Sequence, residues 1–463
     1  MEALQKKYGF WTATAMVVGI VIGSGVFFKA DDVLVAAAGR LPVALLAWLI
    51  GGAIMVVTAS VFAGIATRVD KVNGIVDYFE AAYGRIAGYY VAWFMTVVYY
   101  PTLVAVLAWV SGTYTVGLLG ITAPSAVWVL AVIYLVGFFT LNILSPVLAG
   151  KWQVSATAIK LIPLALVAIV GLAAGLVSGQ TVESFTTAAA DVSRGAGGLA
   201  VATLATAFAY EGWIIATSIN AELRDARRTL PRALVAGTIT VVVVYMAYYL
   251  GISGVLSNGK VIAAGDAAPV RVISLVFGRL GGTVLTVFVV ISCLGTLNGL
   301  IMGSARGLYA IATRGMGPAP AFFRVVAPNT DSTRRSAVVG LALSLAWMAV
   351  WYGNFAGWWG GFMDISELPI AFLYAIYLSI YLWVMRRFTD SRALTRIVTP
   401  LLAALGSLYI IWGAVQKDLF GSFVLVTAAI MIVGAGLRGR GTVAGERGGR
   451  AGAGERVPAE ERQ

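Results

Sequence analysis

The sequence predicts an all-α integral membrane protein of about twelve transmembrane helices. They are expected to form a five-plus-five inverted repeat with discontinuous helices 1 and 6, plus two extra helices. Three observations predict this. The 463 residues are 60% hydrophobic and only 12% charged, far outside the range of soluble domains. The apolar residues come in long continuous runs, not in the short alternating segments of a transmembrane barrel. Two of those runs, in corresponding places, carry an interruption.

The first run contains VVGIVIGSGVFF, Val17 to Phe28, with Gly19, Gly23 and Gly25 inside it and Ser24 between the last two. Glycine in a helix interior costs roughly 1 kcal/mol relative to alanine, so three together invite unwinding. In hydrocarbon an unwound backbone survives only where protein, water or a ligand satisfies its polar groups. Taken alone, such a run reads better as close helix packing through small residues. The second interruption reverses that balance: FAYEGW, Phe208 to Trp213, sets Glu211 and Gly212 in the middle of another apolar run. A pair of broken helices is the sequence mark of a transporter's substrate site.

Requiring roughly 20 apolar residues per crossing gives spans near 10–35, 41–67, 86–118, 125–144, 154–176, 201–219, 232–256, 282–312, 336–353, 366–385, 398–416 and 421–437. The first five (10–176) and the next five (201–385) are of comparable length, and each set opens with its broken helix. An odd number of spans per unit inverts the second unit relative to the first. The last two spans (398–437) stand outside the repeat. Residues 1–9 read as a cytoplasmic N-terminus without a cleavable signal, so the first helix is expected to direct insertion. Residues 438–463, rich in Gly and mixed charge, read as a disordered cytoplasmic tail.

Charge orients the molecule. With the N-terminus inside, only Lys29, Arg40, Arg194, Lys260, Arg271, Arg279 and Lys417 fall outside, and Lys160 falls within a span; the rest of the 33 Lys and Arg are cytoplasmic. Both termini are therefore expected in the cytoplasm. The net charge of +12 reads as this retention and not as a nucleic-acid footprint. No histidine is present and Cys293 is the single cysteine. Histidine-ligated metals, histidine relays and intrachain disulfides are thereby excluded, and no metal or cofactor is expected. Neither a phosphate-binding GxxxxGK[ST] loop nor a GxGxxG after a strand occurs, which excludes an ATP-driven motor.

The breaks suggest a ligand. A half-helix beginning after Gly25 presents free N–H groups and a positive dipole end, which suit a carboxylate; one ending near Tyr210 presents carbonyls, which suit an ammonium. A zwitterionic amino acid fits these two poles better than a sugar, a nucleobase or an inorganic ion. Two ionisable residues lie within spans. Lys160 reads either as a lysine snorkelling to the interface or as a fixed cation braced between helices. Glu211 is open to three readings: a proton site, a counter-ion for Lys160, or a carboxylate in an aqueous pocket. Asn298, in the eighth span, reads first as interhelical glue and second as part of a gate or pocket. Trp109, Trp358 and Trp359 read as interface and packing residues, and Arg224, Arg227, Arg228 and Arg232 as a topogenic basic loop.

At these residues the chain resembles the amino acid–polyamine–organocation superfamily and, within it, the L-type amino acid transporters, on the side of bacterial serine/threonine exchangers. The resemblance rests on IGSGVF around Gly23 to Phe27, IKLIP at Ile159 to Pro163, FAYEGWI at Phe208 to Ile214, INAELRDARRTLPRAL after the sixth span, and LGTLNG in the eighth. It spans almost the whole chain. The resemblance implies a substrate carboxylate on the backbone N–H groups of Ser24 and Gly25, with Gly23 and Ala209 beside it. It implies an ammonium on the carbonyls of Val21, Phe208 and Glu211, with Phe208 as a gate. Lys160 would occupy the place of a sodium ion. Relatives often carry Gly or Asp where this chain has Glu211. Eukaryotic members join an ancillary glycoprotein through a cysteine between the third and fourth spans; Ser111 to Ser125 holds none, so no disulfide-linked subunit is expected.

The implied function is Na⁺-independent exchange of small neutral L-amino acids across a bacterial plasma membrane. Alanine, serine and threonine are the expected substrates, with cysteine as a further candidate. The alternative is a proton-coupled amino acid, amine or polyamine permease working through Glu211. An amino-acid sensor is disfavoured by the short tail, and an enzyme by the lack of any nucleophile–base–oxyanion constellation.

Overall fold

A computed structural model describes residues 9–23, 25–69, 74–189, 197–214, 223 and 225–439. The described residues form helices and turns, with no strand beyond isolated bridges such as Ala327 with Ser332. Eleven helices are long and apolar enough to cross a membrane. A twelfth segment, Gly198–Tyr210, is apolar but shorter. It is the first half of the predicted sixth span, whose continuation after Ile214 lies largely outside the described residues.

The first crossing is made of α1 (Phe10–Val21), a bend at Ile22 and Gly23, and α2 (Gly25–Phe28); after Lys29 the chain turns into α3 (Ala30–Ala36). The interruption therefore falls where the glycines predict it, and Ser24 lies outside the described residues. Next come α4 (Leu41–Ala66) and the amphipathic α5 (Ile75–Tyr83). The third crossing is α6 (Arg85–Phe94) and α7 (Tyr100–Leu119), joined through a wide π turn at Met95–Tyr99. A π turn inside a helix adds a residue to the ring and often marks a functional position. The fourth is α8 (Ala126–Leu144).

The fifth crossing starts earlier than predicted, at α9 (Pro146–Ile159), because Pro146 takes the first helical position, where its missing N–H costs nothing. Lys151, expected in a loop, thus lies on a helix. At Lys160 the helix breaks, resumes as α10 (Leu161–Leu166), and continues through a π stretch into α11 (Leu172–Ser178). After α12 (Gln180–Thr186) comes α13 (Gly198–Tyr210), which ends where Glu211 turns extended and Gly212 takes φ 105°. The chain goes on through α14 (Ala226–Val255) and α15 (Asn258–Ala264).

Next is α16 (Ala268–Ser304), which holds two helices that meet at a kink at Gly278, where φ is 70°. The part after the kink, from Arg279, is the eighth crossing and begins close to its predicted start. Then follow α17 (Gly307–Ala312), α18 (Pro320–Phe323), α19 (Arg334–Phe355), α20 (Leu368–Arg387), α21 (Thr399–Val415) and α22 (Phe420–Leu437).

Packing centres on α4, α13 and α14. Trp48 of α4 is fully buried among the rings of Tyr210, Tyr245 and Tyr249, with centroids 5.6 to 5.7 Å away. Such edge-on aromatic pairs add roughly 0.5–1.5 kcal/mol each beyond burial. Where α14 meets the π stretch before α11, small residues let backbones touch: a Cβ on Gly171 would lie 2.4 Å from the Gly251 carbonyl oxygen. In hydrocarbon this close approach supplies the association that water would otherwise drive.

One end of the bundle is basic. Arg314 pairs with Asp77 at 2.6 Å and Glu80 at 3.2 Å, which pins α5 to the end of α17, and Arg68 pairs with Asp390 at 2.8 Å. Lys29 and Lys417 meet at the opposite end.

Candidate functional site

The ends of the two broken helices are in contact. A Cβ on Gly25 would lie 2.5 Å from the Cα of Ala209, and one on Gly23 would lie 2.9 Å from Thr296 Oγ1. Gly25 is thus needed for close backbone approach as well as for unwinding. Gly212, at the exit of α13, holds a φ that β-carbon-bearing residues rarely adopt.

Free carbonyls at the end of α1 are taken up by two side chains. Lys160 Nζ donates to the Gly19 carbonyl and is buried. Tyr245, also buried, lies within hydrogen-bond reach of the carbonyls of Val21 (3.3 Å) and Ala209 (3.1 Å), so one hydroxyl ties both breaks together. No local sequence pattern marks Tyr245, because its partners lie 224 and 36 residues away. Phe208 O accepts from the Glu211 N–H at 3.4 Å, in a loosened last turn.

Beside the breaks lies a cavity of about 490 Å³. Val21, Gly23, Gly25, Phe208, Ala209 and Glu211 all line it, as does Lys160. Its volume is in the range of small-molecule sites. The rest of the wall includes Tyr99 of the π turn, Tyr100 of α7 and Thr296 of α16. From there it runs toward the basic end, reaching Gly74, Arg306 and Ala310. In the other direction it is sealed by rings: Phe28 packs edge-on against Phe208 at 5.7 Å and against Trp109 at 6.1 Å.

Glu211 does not pair with Lys160. Its Oε1 accepts from the Tyr99 hydroxyl at 2.8 Å, and its Oε2 is buried without a partner among the described residues. Of the three readings left open, counter-ion to Lys160 is the one this geometry removes. Asn298 stands apart from the cavity wall. It is fully buried, donates to Ala149 O and Gln153 Oε1 at 3.1 Å, and accepts from Asn142 at 2.9 Å. It joins α8, α9 and α16, as interhelical glue does, and touches the cavity only through Gln153, which lines it. Of the predicted basic loop, Arg224 lies outside the described residues, whereas Arg227, Arg228 and Arg232 lie on the first turns of α14 and not in a loop.

Two interrupted apolar helices meeting beside a cavity, within a bundle of membrane-crossing helices, define a multi-pass membrane transporter and not an enzyme. Residues 8–437 match the family described as amino acid permease, and the chain belongs to that family, on its L-type side. It is 27% identical to the serine/threonine exchanger SteT of Bacillus subtilis (strain 168) over 426 residues, 90% of this chain and 93% of that one. It is 30% identical to the human large neutral amino acids transporter small subunit 2 over 327 residues, 68% of this chain and 59% of that protein. The b(0,+)-type amino acid transporter 1 of Homo sapiens is 28% identical over 347 residues, covering 70% and 69%.

Proposed function

We propose that the chain exchanges small neutral L-amino acids, alanine, serine and threonine first, by alternating access and without Na⁺. The observation that carries this reading is the Lys160 ammonium on the Gly19 carbonyl, beside a cavity bounded by both helix breaks. A resident cation already neutralises the carbonyl end of α1, so the fold has no need of a metal ion there. The substrate carboxylate sits on the N–H groups at Ser24 and Gly25, next to Gly23. The ammonium sits on the carbonyls of Val21, Phe208 and Glu211, with Ala209 behind it and the Phe208 ring as lid. The membrane is a bacterial plasma membrane, both termini are cytoplasmic, and the basic end of the bundle faces the cytoplasm. The transporter works without a disulfide-linked partner.

Labelled serine uptake into preloaded proteoliposomes tests the Na⁺ claim. Equal rates in sodium and choline buffers are expected, and a sodium-dependent rate contradicts it. A second reading, proton coupling, is favoured by one observation: the partnerless Glu211 Oε2 beside the cavity. Glu211→Gln separates the two, since only a proton carrier loses its response to a pH gradient.

A further inference from the structure

Five charged side chains meet at the end of the molecule away from the basic face. Lys29 Nζ lies 2.7 Å from Glu367, 2.8 Å from Asp32 and 3.8 Å from Asp364. Lys417 Nζ lies 2.7 Å from Glu367 and 3.4 Å from Asp364. The side chains of Lys29 and Glu367 are 2% and 0% exposed, so this is a buried network and not a surface pair. Ser366 fixes Asp364 through its N–H at 3.0 Å and its hydroxyl.

The network joins three separate pieces of chain. Lys29 stands at the hinge between α2 and α3, on the far half of the first broken helix; Asp364 and Glu367 precede α20; Lys417 sits in the turn between α21 and α22. It also lies directly over the aromatic seal, with Lys29 Nζ 4.8 Å from the Phe28 ring centroid and 5.8 Å from that of Phe208. Burial alone would raise the Asp364 carboxyl, but Lys29 and Lys417 more than offset that and hold it below the usual carboxylate range, ionised at neutral pH.

We propose that Lys29, Asp364, Glu367 and Lys417 form a latch that holds the cavity shut on this face and parts when the cavity opens there. Buried ion pairs suit such a task. They repay their desolvation only in one geometry, so they specify a conformation more than they add stability, and water resolvates them once the parts separate. Breaking one partner leaves a buried charge uncompensated and favours the open form. The inference rests on the transport reading only in requiring that the cavity open to both faces.

The test reads accessibility in full-length protein in proteoliposomes without substrate, so it is independent of which amino acid is carried. Cys293 is replaced by Ala, and Leu107, which lines the cavity on α7 near Trp109, is replaced by Cys as the reporter. A membrane-impermeant maleimide is applied from the latch side. Lys29→Met and Glu367→Gln are expected to raise the labelling rate by about tenfold or more, with labelling from the basic side falling in step. Unchanged labelling in folded, monodisperse Lys29→Met overturns the latch. If neither variant folds, Lys417→Met at the partly exposed edge decides: faster labelling supports the latch and an unchanged rate contradicts it.

Discussion

Lys160 and Asn298 are both buried polar residues in apolar helices, and the structure gives them different work. Lys160 interrupts its own helix and spends its ammonium on a carbonyl of α1 at the cavity wall. Asn298, which does not itself line the cavity, spends its amide on two neighbouring helices. Lys160→Ala is therefore expected to leave the protein inserted but to remove nearly all exchange activity, as the end of α1 loses its counter-charge. Asn298→Ala leaves buried partners unsatisfied, a cost of about 1–3 kcal/mol, and is expected to lower thermal stability while substrate affinity stays within a few-fold. Thermal melts and exchange rates on the two purified variants check this split; the reverse pattern contradicts it. Sequence position alone did not separate the residues, because snorkelling and bracing lysines look the same until the partner carbonyl is known. The partners of Tyr245 and Tyr99, and Glu367 as a partner of Lys29, are equally hidden, lying 36 to 338 positions away.

At the level of elements, the breaks were legible and their contact was not. Glycine placement marks where α1 gives way to α2, and Glu211 with Gly212 marks the end of α13, since glycine lowers helix propensity and a carboxylate is costly within an apolar run. That Gly25 rests on Ala209 is a tertiary fact. Gly25→Val puts a branched side chain where the first added carbon already overlaps backbone, so the two breaks must separate. Loss of substrate binding with unchanged helix content by circular dichroism is expected; retained affinity means the glycines are not part of the site. Helix ends were read less well than helix existence. Pro146 extends the fifth crossing past the hydrophobic window, because proline can start a helix, whereas the kink at Gly278 sets a separate helix before the eighth.

For the whole molecule, hydropathy carries the number of crossings, and the two breaks carry the location of the cavity. The state of the cavity, reaching the basic end and sealed by Phe28, Phe208 and Trp109 at the other, lies in packing that no window reports. The exchange proposed above requires that the carrier change face readily only when loaded. Labelled serine uptake into proteoliposomes, empty or preloaded with unlabelled serine, tests it most directly. Exchange predicts fast uptake into preloaded vesicles, slow uptake into empty ones, and little response to an imposed membrane potential, because one zwitterion replaces another. Rapid uptake into empty vesicles driven by an inward proton gradient, and abolished by Glu211→Gln, would contradict exchange and establish the proton-coupled carrier instead.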